Sequence, residues 1–64
     1  MNQHREPLEA TGMKLIHQAG AVAVLQDKDR LEVWRENDNY SGYVVEIDGK
    51  GYEFVYSVRI EKEA

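Results

Sequence analysis

From Leu31 onward the chain alternates with a period of two. In Leu31-Glu32-Val33-Trp34-Arg35-Glu36, Tyr43-Val44-Val45-Glu46-Ile47 and Tyr52-Glu53-Phe54-Val55-Tyr56-Ser57-Val58-Arg59-Ile60, large apolar residues fall on one parity and mostly carboxylates on the other. Successive side chains of a strand point to opposite faces, so this spacing implies a half-buried antiparallel sheet with an acidic outer surface.

Sixty-four residues make one domain, near the lower size limit for a chain that folds unaided. There is no cysteine, so neither a disulfide nor a thiolate zinc site can supplement the small core. Two isolated histidines exclude a His-rich metal cluster. No apolar run approaches the ~20 residues needed to cross a bilayer, and the first seven residues lack the apolar stretch of a signal peptide. Asn39-Tyr40-Ser41 fits a glycosylation sequon but reads as a polar loop. The expectation is a cytoplasmic protein without membrane contact.

The net charge of −4 is unevenly distributed. Residues 1–31 carry four acids and four bases, whereas residues 32–64 carry eight acids and four bases. The whole surplus lies on the alternating strands and the tail. Binding to phosphate backbones needs clustered Lys and Arg, so direct nucleic-acid binding is disfavoured and a basic protein partner is favoured.

Along the chain, residues 1–7 read as a flexible N-terminus and 8–64 as a single domain. Pro7 suits the first position of a helix, Glu9 its first turn and His17 its last, with Gly20 placed to end it. Leu8, Leu15, Ile16 and Ala19 form one helical stripe, although Thr11-Gly12 interrupts it. A strand over Met13–Gln18 is the rival. Ala21–Gln26 is a strand, Asp27-Lys28-Asp29 a tight turn and Arg30–Glu36 the return strand. This pairing puts Val22 and Val24 on the face of Leu31 and Val33. Asn37–Gly42 is a loop, Tyr43–Ile47 a strand, and Asp48-Gly49-Lys50-Gly51 the strongest hairpin signal. With Asp48-Gly49 central, Val45 faces Tyr52 and Val44 faces Glu53. With Gly49-Lys50 central, Glu46 would oppose Glu53, which like charges disfavour.

The inner face then carries Val22, Val24, Leu31, Val33, Tyr43, Val45, Ile47, Tyr52, Phe54, Tyr56, Val58 and Ile60. A twelve-residue helix, ~18 Å long, matches the width of four strands at ~4.8 Å spacing. The fold class expected is therefore α+β: an N-terminal helix packed on a four-stranded antiparallel β-meander. An all-β small five-stranded barrel is the alternative, and a sheet closed by a second copy, giving a homodimer, is the third.

Catalytic chemistry is absent from the pattern. Ser41 and Ser57 have no neighbouring base tied to them, and Gly49-Lys50-Gly51 is a turn rather than a phosphate loop. Asp27, Asp29 and Glu32 lack calcium-loop spacing. No catalytic, cofactor or metal residue is assigned. Tyr43, Tyr52, Phe54 and Tyr56 could form a base-stacking platform for single-stranded nucleic acid, but they share the parity of the core valines.

Trp34 has the opposite parity to Leu31 and Val33, so it belongs with the carboxylates. Leu25, Val44 and Val55 fall on the same face. The candidate partner-binding residues are accordingly Glu32, Trp34, Glu36, Val44, Glu46, Asp48, Glu53, Val55 and Glu61, an aromatic anchor within a polar rim. The function expected is non-enzymatic: a small acidic adaptor or inhibitor docking on a basic protein surface. Rows of strand carboxylates, ~6.8 Å apart at i and i+2, could mimic a nucleic-acid backbone. Such composition suits a phage or mobile-element inhibitor of a nucleic-acid-binding protein, for example an anti-CRISPR acting on a CRISPR effector. The alternatives are a single-stranded nucleic-acid-binding module and a structural subunit or antitoxin-like partner.

Overall fold

The computed structural model describes residues 3–61. It is built almost wholly of strands: β1 (His4–Pro7), a four-residue helix α1 (Leu8–Thr11), β2 (Lys14–Ala19), β3 (Val22–Asp27), β4 (Arg30–Glu36), β5 (Tyr43–Ile47) and β6 (Lys50–Arg59). All six strands belong to one sheet in the order β1-β5-β6-β4-β3-β2. Pairing is antiparallel except between β1 and β5, which run parallel.

This architecture overturns the expected helix on a four-stranded meander. Helix α1 stops at Gly12, whose φ of 79° lies in the left-handed region. The Thr11 hydroxyl seals the end, donating to the Leu8 carbonyl at 2.6 Å and accepting from the Met13 amide at 3.0 Å. One turn alone has no cooperative stability, so residues beyond it take the strand partner that β3 offers. His4–Pro7, read as flexible, instead form β1; residues 1 and 2 lie outside the described residues.

Strands β1 and β2 are consecutive in the chain yet occupy opposite edges of the sheet. A flat sheet of this width would separate those edges by ~24 Å. The linker, residues 8–13, advances only ~6 Å through its helical part and ~7 Å through Gly12 and Met13. The sheet must therefore curl. Gln18 of β2 donates to the Tyr52 hydroxyl of β6 at 2.8 Å, although β3 and β4 lie between them in the sheet.

The concave face of the curl is the core. Ala23, Leu25, Trp34, Val45, Ile47 and Tyr52 form one buried cluster, with Leu8, Met13 and Leu15 packed against it. Val45, Ile47 and Tyr52 are inside as expected. Val22, Val24, Leu31, Val33, Tyr56 and Val58 are not: register places them on the convex face, where Val22, Tyr56 and Val58 are exposed.

A bulge explains the reversal. Val33 pairs with Tyr56 but Trp34 pairs with Phe54, so one residue of β6 is unmatched. An extra residue flips the faces of everything beyond it. Tyr52 and Phe54 consequently share the concave side with Trp34, while Tyr56 and Val58 turn outward. A second bulge, between Leu15 and His17, leaves Ile16 exposed in β2.

Turn chemistry holds as the sequence implies. Asp48 and Gly49 both have positive φ, 54° and 81°, and close a two-residue hairpin with Val45 opposite Tyr52. Lys28-Asp29 closes the β3–β4 hairpin, with Val24 opposite Val33. Asp38, in the loop after β4, accepts from the Gly51 amide at 2.6 Å and from Arg5 Nη2 at 3.0 Å. These bonds tie that loop to β6 and β1 beside buried Val44.

Candidate functional site

The β5–β6 ladder runs only from the hairpin to Val45–Tyr52. Beyond it no register pair joins the two strands, and the Trp34 indole contacts one ring from each. Its ring meets Phe54 edge-on at 5.5 Å between centroids and Tyr43 edge-on at 6.2 Å. His4 stacks on Tyr43 at 5.4 Å. Trp34 itself is buried, but Tyr43 and Phe54 are 41% and 49% exposed. The result is an aromatic patch at the mouth of the curl, with a fixed floor and two half-open rings.

Carboxylates border this patch. Trp34 Nε1 donates to Glu32 Oε1 at 3.1 Å, a contact the strand permits because residues i and i+2 share a face. The Tyr43 hydroxyl donates to Glu6 Oε1 at 2.8 Å. Partial burial, followed by the Glu6 hydrogen bond and the negative charges of Glu6 and Glu32, pushes the Tyr43 phenol up to about 12. The patch is therefore electronegative in its hydrogen bonding as well as its charge.

The residues singled out from sequence are scattered by this fold. Glu32 and Trp34 come together, but the indole is a buried floor rather than an exposed anchor. Val44 is also fully buried, so it offers no surface. Glu53 is buried on the convex face and neutralised: Arg35 grips it through Nη2 and through Nε at 3.0 Å, and Asn37 adds a contact at 3.4 Å. The Arg35 bond holds the Glu53 carboxyl below the usual carboxylate range, against an opposing contribution from burial. Glu36 and Glu46 are half-buried, Asp48 is exposed in the hairpin turn, and Val55 and Glu61 are exposed.

His4 and Glu6 were not among the candidate residues, and Tyr43 and Phe54 entered only through the alternative of a base-stacking platform. Tyr43 and Phe54 matched the parity of the valines and so read as core. The one signal that could have found them is Trp34, the only tryptophan, on a parity that otherwise carries acids.

Among the described residues, no three His, Asp or Glu side chains gather to hold a metal ion. No described helix is long and apolar enough to cross a membrane. A shallow depression of about 240 Å³ lies between Gly12, Lys14, Gln26 and Lys28, so the ionisable groups that line it are two lysines. Compared with protein-family models, curated proteins and solved structures, the chain matches none.

Proposed function

We propose that this chain is a non-enzymatic binding protein that receives an Arg or Lys side chain of a basic partner on the Tyr43–Trp34–Phe54 patch. The observation carrying this reading is the joint placement of two half-exposed rings and the Glu32 and Glu6 carboxylates around one fixed indole. A cation within ~6 Å of a ring face is attracted by the π-system, by ~0.5–2 kcal/mol depending on desolvation. The two carboxylates add attraction of the same sign and select against anionic ligands. An adaptor or inhibitor acting on a short basic segment is better supported than one presenting a long phosphate-like row. Asp48 sits in a turn and Glu53 is already paired, so neither extends such a row.

Trp34 is a built-in reporter, being the only tryptophan. An arginine-rich peptide should change its emission saturably, and rising salt should weaken the effect because rim charges are screened. Phe54→Ala and Glu32→Gln should each lower the affinity several-fold without unfolding the protein. A glutamate-rich peptide of equal length should produce no response. A response to single-stranded DNA instead would transfer the patch to base stacking. Silence towards both would remove it as a binding site.

A further inference from the structure

We infer that the distal half of β6 is the docking edge for a second copy of this chain, which pairs with it antiparallel across a two-fold axis centred on Ser57. β5 accompanies β6 only as far as Tyr52, and among the described residues no other strand lies along that side of residues 53–59. That side of β6 has no strand partner among the described residues, and the strand carries Val55, Tyr56 and Val58, respectively 44%, 54% and 49% exposed. An unblocked apolar edge of this kind is a template for another strand.

The geometry specifies which groups face outward. The Ile60 amide donates to the Asp29 carbonyl at 2.7 Å, so residue 60 points toward the β3–β4 side. Backbone groups alternate along a strand, and no bulge intervenes between Tyr56 and Arg59. Tyr56 and Val58 therefore bond β4, while the N–H and C=O of Ser57 and Arg59 face the open edge. Two copies centred on Ser57 would exchange both Ser57 N–H···O bonds.

That register is also self-complementary in its side chains. It sets Tyr56 of each copy opposite Val58 of the other, all four on the convex face. Within one chain, Val24–Val33–Tyr56 and Gln26–Leu31–Val58 are already cross-strand rows. The two-fold joins the end of each row to the end of the other, making one continuous apolar stripe across both sheets. A centre on Tyr56 would instead set Val58 against Phe54, which the bulge has turned to the opposite face. An identical strand satisfies both the hydrogen bonds and the faces by symmetry, and a two-fold contact closes without growing into a fibre. A five-residue strand pair buries far less than the roughly 800 Å² per partner of a standard complex, so the dimer is weak, with a dissociation constant on the order of 100 μM.

This edge adjoins the Trp34 patch at Phe54, but self-association and cation binding are read by different measurements, so either proposal can fail alone. Sedimentation of the full chain from ~10 μM to ~1 mM should show a reversible rise from monomer to dimer mass. Ser57→Pro deletes an outward N–H without touching the β4 ladder and should abolish the rise while leaving the circular dichroism unchanged. Ser57→Cys introduces the only thiol, and hydrogen-bonded antiparallel pairs place Cα atoms ~5.5 Å apart, within disulfide range. With oxidised glutathione as the oxidant, its disulfide-linked dimer should form at least tenfold faster than that of Lys28→Cys. Monomer mass throughout, dimerisation retained by folded Ser57→Pro, or equal cross-linking of the two cysteine variants would each overturn the proposal. Should Ser57→Pro not fold, the cross-linking rates decide.

Discussion

Leu25 and Val58 are both β-branched or γ-branched aliphatics on strands, and the curl of the sheet assigns them opposite fates. Leu25 is fully buried in the cluster with Ala23, Trp34 and Tyr52, whereas Val58 is half exposed on the convex face. Leu25→Ala removes its buried methyl groups and leaves a cavity beside a rigid indole that cannot collapse to fill it. Such deletions cost ~3–4 kcal/mol. A 64-residue domain has roughly 3–10 kcal/mol in total at ~0.05–0.15 kcal/mol per residue, so the change removes a large share of the stability. With a urea m-value of ~1 kcal/mol/M the midpoint should fall by ~3 M, or the protein should be unfolded outright. Val58→Ala deletes two methyl groups at half burial and should cost below ~1 kcal/mol. Urea titration followed by far-UV circular dichroism, at low micromolar protein to keep the chain monomeric, compares them directly. A larger loss for Val58→Ala than for Leu25→Ala would mean that the convex face is the core and that the faces are assigned backwards.

Two further predictions concern protons. Tyr43 titrates at about 12 in the folded state, above the ~10 of an unfolded phenol, so its contribution to stability is complete below pH ~10 and lost as pH rises toward 12. The ultraviolet titration difference between the native protein and Tyr43→Phe should show that late step; a midpoint near 10 would contradict the Glu6 bond and burial. Glu53 is held low first by Arg35, and Asp38 first by the Gly51 amide and then by Arg5. Both therefore stabilise the fold above the unfolded carboxylate value of ~4, and that stabilisation fades as pH falls through their lower folded values. Glu53→Gln should flatten the acid limb of a stability–pH curve, and an unaltered limb would show that the Arg35 pair contributes nothing.

What could be read in advance was whatever depends on neighbours in sequence. Asp48-Gly49 demanded positive φ at two adjacent positions and so fixed its own hairpin and the Val45–Tyr52 register. The β3–β4 hairpin and its shared faces followed from a two-residue loop in the same way. The choice of which face turns inward was not local. β3 carries apolar residues on both parities, Val22 and Val24 against Ala23 and Leu25, and only closure of the curl selects between them. The bulge in β6 has only a faint marker in the sequence, the apolar Val55 that breaks the alternation in Phe54-Val55-Tyr56; the mismatch itself exists only against β4. Pro7 marked a helix start, and α1 does begin directly after it with Pro7 as its N-cap; what the sequence overestimated was the length, since the helix ends at Gly12 after four residues. The site shared this fate. Trp34 was identifiable as anomalous, but its partners Tyr43 and Phe54 come from two strands that only the tertiary fold brings to it.

The parallel pairing of β1 with β5 also sets an order in time. Hairpins β2–β3, β3–β4 and β5–β6 close over two-residue loops and can form within microseconds. β1 has no such shortcut: the Glu6–Tyr43 bond joins residues 37 positions apart, so it must wait until β5 is in place. The first strand of the chain should thus be the last to assemble and, as an edge held by four register pairs and no hairpin, should open readily. Amides of β1 should exchange with deuterium well ahead of those in β4, through an opening far smaller than global unfolding. Each such opening would carry away Glu6 and the stacked His4, so the charge bordering the aromatic patch should depend on the grip of a four-residue strand.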